Sequence, residues 1–432
     1  MFRGTAVTTR TYFVQVGATR DGLDPYLDAA HRRGMTAVLL ETPDYLRWRR
    51  ALGWREFDVS LPVHHLASAD GIVAALELLD HRPELVLAGF ERYARPTFAA
   101  SAILNVRPSD GSNVFSAPRK RDQRMAMTAA GLDGFQPRYN PMNSLAELAD
   151  ACDGLRFPVV LKPSDGSSGL GVVLIPDIEG VPDAVAAVNG LRNYDGGPFE
   201  GWLVEEYAAG DEVSLQALAI AGHVEILTYS EKFALLERSV GHRIATFREG
   251  GHVVSPFSEM AKGLGVLVGK CIAAVGYSNG PFHIDLVRRG DAVRVLEMGF
   301  RLSGLGMVTL VERVAQVNWA EAAFRVHLQD APPLEQSPEI TGLRYQYGGQ
   351  IAIRNATELR IARALQTRYG HRAVEVHTLP RPANLGDWFR ETPPSMTADL
   401  RRYASGIGRM FVFHNDKTTV SSLLSHCITI DR

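Results

Sequence analysis

The sequence predicts an α/β fold at its N-terminus that passes into α+β structure built on antiparallel hairpins. Three observations carry that reading. Apolar strands alternate with helical segments through residues 1–113, the pattern of a parallel sheet with helices on its faces. Two β-branched runs, Val159-Val160-Leu161 and Val172-Val173-Leu174-Ile175, flank a loop of Gly, Ser and Asp. Two further runs meet at Arg288–Asp291, and each carries one carboxylate, Asp285 and Glu297.

In chain order, Thr11–Val16 reads as a buried strand, followed by turn residues Gly17–Gly22. Leu23–Gly34 has helical apolar spacing, with Gly34 suited to a C-cap. Thr36–Leu40 is a second strand, Asp70–Leu79 a helix and Leu85–Ala88 a third strand. Glu91 and Arg92 lie just beyond the carboxyl end of that strand, where open α/β sheets bind ligands. A solvated surface pair is the plainer reading of them. Asp110–Asn113 marks a turn between domains. From Ser116 a helix runs to about Ala130 and stops at Gly131. Lys120 near its start can aim at a phosphate together with the helix N-terminus, although the residue taken alone reads as a surface lysine.

After a helix near Leu145–Cys152 comes the Gly/Ser hairpin, with Lys162 at the base of its loop. Glycine lets a backbone approach a phosphate closely, and its N–H groups can converge on an anion. The loop is neither a Walker A motif nor a dinucleotide fingerprint, since no Gly-Lys-Ser/Thr opens a helix and no clear Gly-x-Gly-x-x-Gly follows the first strand. Downstream, Trp202–Tyr207 and Val213–Ile220 read as strands joined by a short Gly turn, which would bring Glu205 near Glu212 or leave both on a solvated hairpin. In the hairpin spanning Gly280–Gly304, alternation puts His283, Asp285 and Val287 on one face and Val295 and Glu297 on one face of the partner strand. If the register lets Asp285 meet Glu297, two carboxylates repel in a mostly apolar setting, and a divalent cation removes that cost. Hard oxygen ligands favour Mg²⁺. Arg301 follows within reach and suits a phosphoryl group, or else pairs with Glu297.

The chain has 46% hydrophobic and 22% charged residues, ordinary for a globular protein. A net charge of −2 gives no global basic field to draw nucleic acid or an anionic membrane. The clusters Arg47-Trp48-Arg49-Arg50 and Arg119-Lys120-Arg121 read as solvated faces. Cys152, Cys271 and Cys427 are far apart, lack metal-type spacing and read as reduced, which suits the cytoplasm. No apolar run approaches the ~20 residues that span a bilayer, and no signal-peptide core is evident.

Taken in order, Lys120, Lys162 with Ser164–Gly171, Glu205-Glu206-Tyr207, Glu212, Asp285 and Glu297-Met298-Gly299-Phe300-Arg301 resemble the ATP-grasp superfamily, specifically carboxylate–amine ligases akin to bacterial L-amino-acid ligases that make dipeptides. The resemblance covers residues 10–330. It implies an ATP-grasp fold behind a Rossmann-like pre-ATP-grasp domain. The implied division is an N-terminal domain at 1–113, a central lid subdomain at 114–200, a catalytic subdomain at 201–330 and a small α+β lobe at 331–432. It also implies roles: Lys120 and Lys162 at the ATP phosphates, with Ser167, Ser168 and Gly169 closing over them; Glu205 and the backbone of Glu206 and Tyr207 at the adenine; Glu212 at the ribose; Asp285 and Glu297 on Mg²⁺; Arg301 at an acyl phosphate. His283 is read from the residues as a candidate for orienting substrate or taking the amine proton, or as a satisfied strand histidine. Gly299 departs from the Asn that many such enzymes carry there, which leaves one metal ligand fewer. ATP and Mg²⁺ are the implied cofactors, and a small acid and a small amine the partners; a homodimer is compatible. A carboxylase using bicarbonate, or a nucleotide-binding module without ligase activity, are the alternatives. Specificity would lie in part in 230–259, where Lys232, His242, Arg243, Arg248 and His252 could bind a carboxylate or form a polar surface loop.

Overall fold

The computed structural model describes residues 11–108, 119–238, 241–257, 262–304, 306–330, 334 and 345–428. The turn read at Asp110–Asn113 and the helix start at Ser116 lie outside them.

Four strands, β1 (Tyr12–Val16), β2 (Thr36–Glu41), β3 (Val59–Pro62) and β4 (Leu85–Ala88), form a parallel sheet in the order β3-β2-β1-β4. Every residue of β1 and β4 is buried, as in a parallel sheet covered on both faces. The helix expected at Leu23–Gly34 spans Pro25–Arg32, and Gly34 closes it at φ +66°. Strand β3 was not legible: Val-Ser-Leu-Pro is short and carries the proline that sheets confine to edges. The helix Pro43–Ala51 keeps Arg47 and Arg50 exposed, as expected of a solvated face, but turns Trp48 and Arg49 inward. Trp48 is 1% exposed, and Arg49 is buried in an ion pair with Asp24 at 2.8 Å.

The second sheet has twelve strands. Nine follow the path β13-β12-β9-β10-β11-β7-β6-β8-β5. In chain order they are β5 (Tyr139–Met142), β6 (Val159–Pro163), β7 (Val173–Ile175), β8 (Trp202–Glu206), β9 (Asp211–Ile220), β10 (His223–Arg238), β11 (Ala245–Pro256), β12 (Gly280–Arg289) and β13 (Ala292–Gly299). The C-terminal strands β14 (Tyr347–Ile353), β15 (Val374–Thr378) and β16 (Gly408–His414) continue the same sheet, because β14 pairs with β11 and β16 bridges β14 to β15. The Gly/Ser hairpin is β6–β7.

Strand β8 lies between β6 and β5, and β9 between β10 and β12, so the hairpin expected to join Glu205 to Glu212 does not exist. Period-two alternation on β9 turns Val213, Leu215, Ala217 and Ala219 into a core with the helix Lys262–Ala274. The intervening Glu212, Ser214 and Gln216 face a cavity of about 1580 Å³. No helix among the described residues is long and apolar enough to cross a membrane.

Candidate functional site

The cavity lies between the Gly/Ser loop, the inner face of the large sheet, the N-terminal domain and the C-terminal strands. Its floor is set by one register. Asp285 on β12 is the direct cross-strand partner of Glu297 on β13, so both carboxylates rise from the same face. A β-bulge follows, and Leu286 pairs with Val295, leaving Leu296 as the extra residue. This corrects the face expected for Val295. It is buried in the apolar layer with Ile284 and Leu286, while Leu296 and Glu297 both line the cavity.

The helix Lys120–Ala129 is riveted onto the bulge. Gln123 donates to the Met298 carbonyl at 2.7 Å and accepts from the Met298 N–H at 2.9 Å. Arg124 donates to the Leu296 carbonyl at 2.7 Å and to Glu205 at 2.8 Å. Lys120 completes this face of the helix. Its Nζ reaches Glu297 at 2.9 Å and the Gly166 carbonyl at 2.7 Å. The spacing i, i+3, i+4 puts all three on one side, a signal that could have found Gln123 and Arg124. Lys120 is therefore no surface lysine. Burial disfavours its charge, yet Glu297, with Glu91 and Asp165, lifts its proton affinity above the ordinary value.

Lys162 is 6% exposed and pairs with Glu205 at 2.6 Å. Burial outweighs that partner and pushes its pKa down to about 8. Glu205 itself is held below the usual carboxylate range: burial raises it, but Arg124 and Lys162 prevail. The side chain of Glu206 turns outward to Arg156 at 3.0 Å. The Glu206 and Tyr207 N–H groups are donated to Arg138 and Pro158 carbonyls, each at 2.9 Å, so neither is left for a ligand. Ser167, Ser168 and Gly169 roof the cavity, with Ser168 at φ +55° and Gly169 at φ +73°.

Of the 230–259 candidates, Lys232, Arg248 and His252 line the cavity, whereas His242 and Arg243 are exposed and pair with Asp183 and Glu179. Lys232 bridges Glu212 and Asp285, the latter at 2.8 Å. Burial opposes its charge, but Asp285, Glu212 and Glu249 hold its pKa well above the ordinary value.

The carboxylates are thus neutralised by ammonium groups, Asp285 by Lys232 and Glu297 by Lys120. The second oxygen of Asp285 is buried with no hydrogen-bond partner. Two opposed carboxylates, one with an unused oxygen, fit Mg²⁺, which takes one or two protein carboxylates and completes its shell from water and phosphate. Among the described residues no set of three or more His, Cys, Asp or Glu side chains closes a cage.

Glu91 and Arg92 are not a solvated pair. Glu91 reaches Arg301 Nε at 3.0 Å, so Arg301 is not the partner of Glu297. A Cβ placed on Gly299 would come within 2.1 Å of His283 Cε1 and 2.8 Å of Glu91 Oε2. The space a side chain at 299 would claim is already filled by His283 and by a carboxylate from the N-terminal domain. Burial lowers the pKa of His283 despite Asp285, Glu91 and Glu297 nearby. Gly299→Ala should lower the melting temperature through overpacking, a cost of about 1–3 kcal/mol. Adding His283→Ala should restore it; a single variant as stable as the parent would show that the ring moves freely.

Residues 155–309 match the ATP-grasp domain family. The formate-dependent phosphoribosylglycinamide formyltransferase of Rhodococcus jostii (strain RHA1) is 27% identical over 243 residues, covering 55% of this chain and 58% of that protein. Its counterpart in Leptothrix cholodnii (strain ATCC 51168 / LMG 8142 / SP-6) is 26% identical, with 57% and 62% covered. The chain thus spans about three fifths of these relatives. Among solved structures, the L-amino acid ligase from Bacillus licheniformis superposes with a TM-score of 0.67 at 18% identity, over 97% of this chain and 98% of that one. N5-carboxyaminoimidazole synthase from Aspergillus clavatus, in complex with ADP and 5-aminoimidazole ribonucleotide, gives 0.65 at 14% identity, over 97% and 98%. At such identities the shared property is the fold, which is ATP-grasp.

Proposed function

For a chain that carries an ATP-grasp domain, we propose an ATP-dependent, ADP-forming ligase that joins a carboxylate to an amine through an acyl phosphate. One observation carries the reading: Asp285 and Glu297 are opposed in register beneath the Gly/Ser loop, with Lys120 and Lys162 converging on the same cavity. Lys120, Lys162 and the 167–169 backbone hold the phosphates. Glu205 and the strand end at Glu206-Tyr207 flank the base, and Glu212 takes the ribose hydroxyls. Asp285 and Glu297 hold Mg²⁺, which when bound neutralises charge on the transferring phosphoryl group.

A substrate carboxylate oxygen attacks the γ-phosphorus, the bond to the ADP oxygen breaks, and Arg301 balances charge on the acyl phosphate. The amine nitrogen then attacks the acyl carbon, the bond to the phosphate oxygen breaks, and inorganic phosphate leaves. His283, kept unprotonated by burial, accepts the proton released by the amine. The Gly/Ser loop excludes water from the acyl phosphate.

Glu91 beside His283 suits a substrate with an ammonium group, which supports amino acids, or amino-acid-like acids of peptide-like natural products, as the pair joined. A second reading has an observation in its favour. Arg354 and Arg409 line the far end of the cavity, and burial pushes Arg409 down to about 10. That end suits an anionic group such as a phosphate, in keeping with the likeness to formate-dependent phosphoribosylglycinamide formyltransferases. A phosphate-release screen with product masses decides between them. Amino acids in pairs, formate or bicarbonate with phosphorylated amines, and bicarbonate alone would be supplied with ATP and Mg²⁺. A dipeptide mass supports the first reading, and an acylated phosphorylated amine the second. Bicarbonate-only turnover would replace both, as would nucleotide binding without turnover.

Lys162 predicts a pH dependence. Its ammonium, the form that pairs with phosphate, is present below about pH 8 in the free protein and is lost above it. ATP binding above that pH must take up a proton. Affinity should then fall as pH rises, by at most about tenfold per unit. Lys162→Arg should flatten the profile, as read by titration calorimetry with a non-hydrolysed ATP analogue. A parent profile already flat from pH 7 to 10 would remove Lys162 from the phosphates.

A further inference from the structure

Adjacent residues of the N-terminal domain reach two different parts of the site. Glu91 contacts Arg301 at 3.0 Å beside His283. Arg92, its neighbour in the same helical turn, grips Asp165 at the root of the Gly/Ser flap at 2.5 Å and also pairs with Asp195. The Arg92 side chain is 11% exposed and that of Asp165 6%. Burial disfavours charge on Arg92, but Asp195 and Asp165 more than restore it. The second Asp165 oxygen accepts the Glu200 N–H at 2.9 Å. Lys120 also reaches the flap root, at the Gly166 carbonyl, but its ion pair is with Glu297, and among the described residues Arg92 is the cation paired directly with Asp165. The grip is reinforced. Tyr194, beside Asp195, packs its ring edge-on against Phe90 at 5.0 Å, inside the N-terminal core.

We propose that Arg92 is a positioning residue that latches the flap root to the N-terminal domain, so that the turn bearing Glu91 couples occupancy of the substrate pocket to closure of the flap. This rests on the ligase reading for the meaning of that occupancy, but the latch is a property of the fold. Flap residues 164–171 then close fully only when the Glu91-Arg92 turn is seated. An acyl phosphate formed under a loose flap meets water and is hydrolysed, giving ADP and phosphate without amide.

The test uses the full-length protein as Arg92→Gln, Arg92→Lys, Asp165→Asn and the Arg92→Gln/Asp165→Asn double variant. Amide hydrogen exchange over 164–171 is measured with and without ATP and Mg²⁺. Amide formed per ADP is measured on the best substrate pair. Arg92→Gln should speed flap exchange about tenfold or more, since one removed partner leaves a buried charge uncompensated. Arg92→Lys should recover part of it, and the double variant should be no worse than the worse single. The amide-to-ADP ratio should fall well below that of the parent, with KM for ATP raised. Unchanged flap exchange, or exchange that rises only in the four-stranded N-terminal sheet, overturns the latch. A parent that makes no ADP with any pair sinks the ligase reading alone, and flap exchange still decides the latch.

Discussion

Glu297→Ala is expected to abolish ATP turnover, by about a thousandfold or more, while the protein stays folded. A metal-held phosphoryl group owes several kcal/mol of transition-state stabilisation to the ion, and about 4 kcal/mol corresponds to three orders of magnitude. Glu297 is one of only two carboxylates brought together by the β12–β13 register, so under the proposed function its loss would leave the ion a single carboxylate, Asp285, already bonded to Lys232. The fold should survive because the Glu297 side chain is 35% exposed to the cavity, and Lys120 keeps its bond to the Gly166 carbonyl. Glu297→Gln, which keeps the shape and loses the charge, should be as inactive as alanine. Phosphate release and a thermal melt, run side by side, check both halves. Turnover near that of the parent would remove the metal role.

Arg301→Ala should lower kcat by about 10²- to 10³-fold with little change in KM for ATP, the signature of a group that acts on charge developing in the reaction. Arg301 is poised without being fully engaged: Glu91 holds its Nε side and the Leu302 carbonyl accepts from its Nη1. The variant also deprives Glu91 of its cation next to His283. Arg301 lowers the proton affinity of His283 and Glu91 raises it, so the pKa of His283 should rise. The acid limb of the kcat profile should move to higher pH with it. A KM effect for ATP at unchanged kcat would assign Arg301 to nucleotide binding instead.

Much of this site was legible one hairpin at a time. The β6–β7 flap, the β12–β13 pair and the terminus of the helix at Gly131 follow from β-branched runs, turn residues and a positive-φ glycine, all signals spanning a few residues. The misreadings share a cause. Lys120 and the Glu91-Arg92 pair look like solvent-facing charges because their partners, Glu297, Arg301 and Asp165, lie far along the chain. Glu205 and Glu212 are close in sequence yet sit on strands that never pair, because adjacency in the chain does not fix which strands bond. The bulge at Leu296 left no sequence mark; it is held by Gln123 and Arg124 from a helix that docks across it.

Local periodicity and turn chemistry were enough for β1, β2, β4, β6 to β9, β12 and β13, for the Gly/Ser hairpin and for two carboxylates able to share a cation, but not for the long central strands β10 and β11, whose polar residues read as a surface loop. Long-range packing settled which ammonium neutralises which carboxylate, gave the position beside Gly299 to Glu91 and His283, and brought Arg92 of the N-terminal sheet region onto the flap root. Those outcomes depend on burial, and burial is a property of surfaces that meet only after the chain has closed on itself.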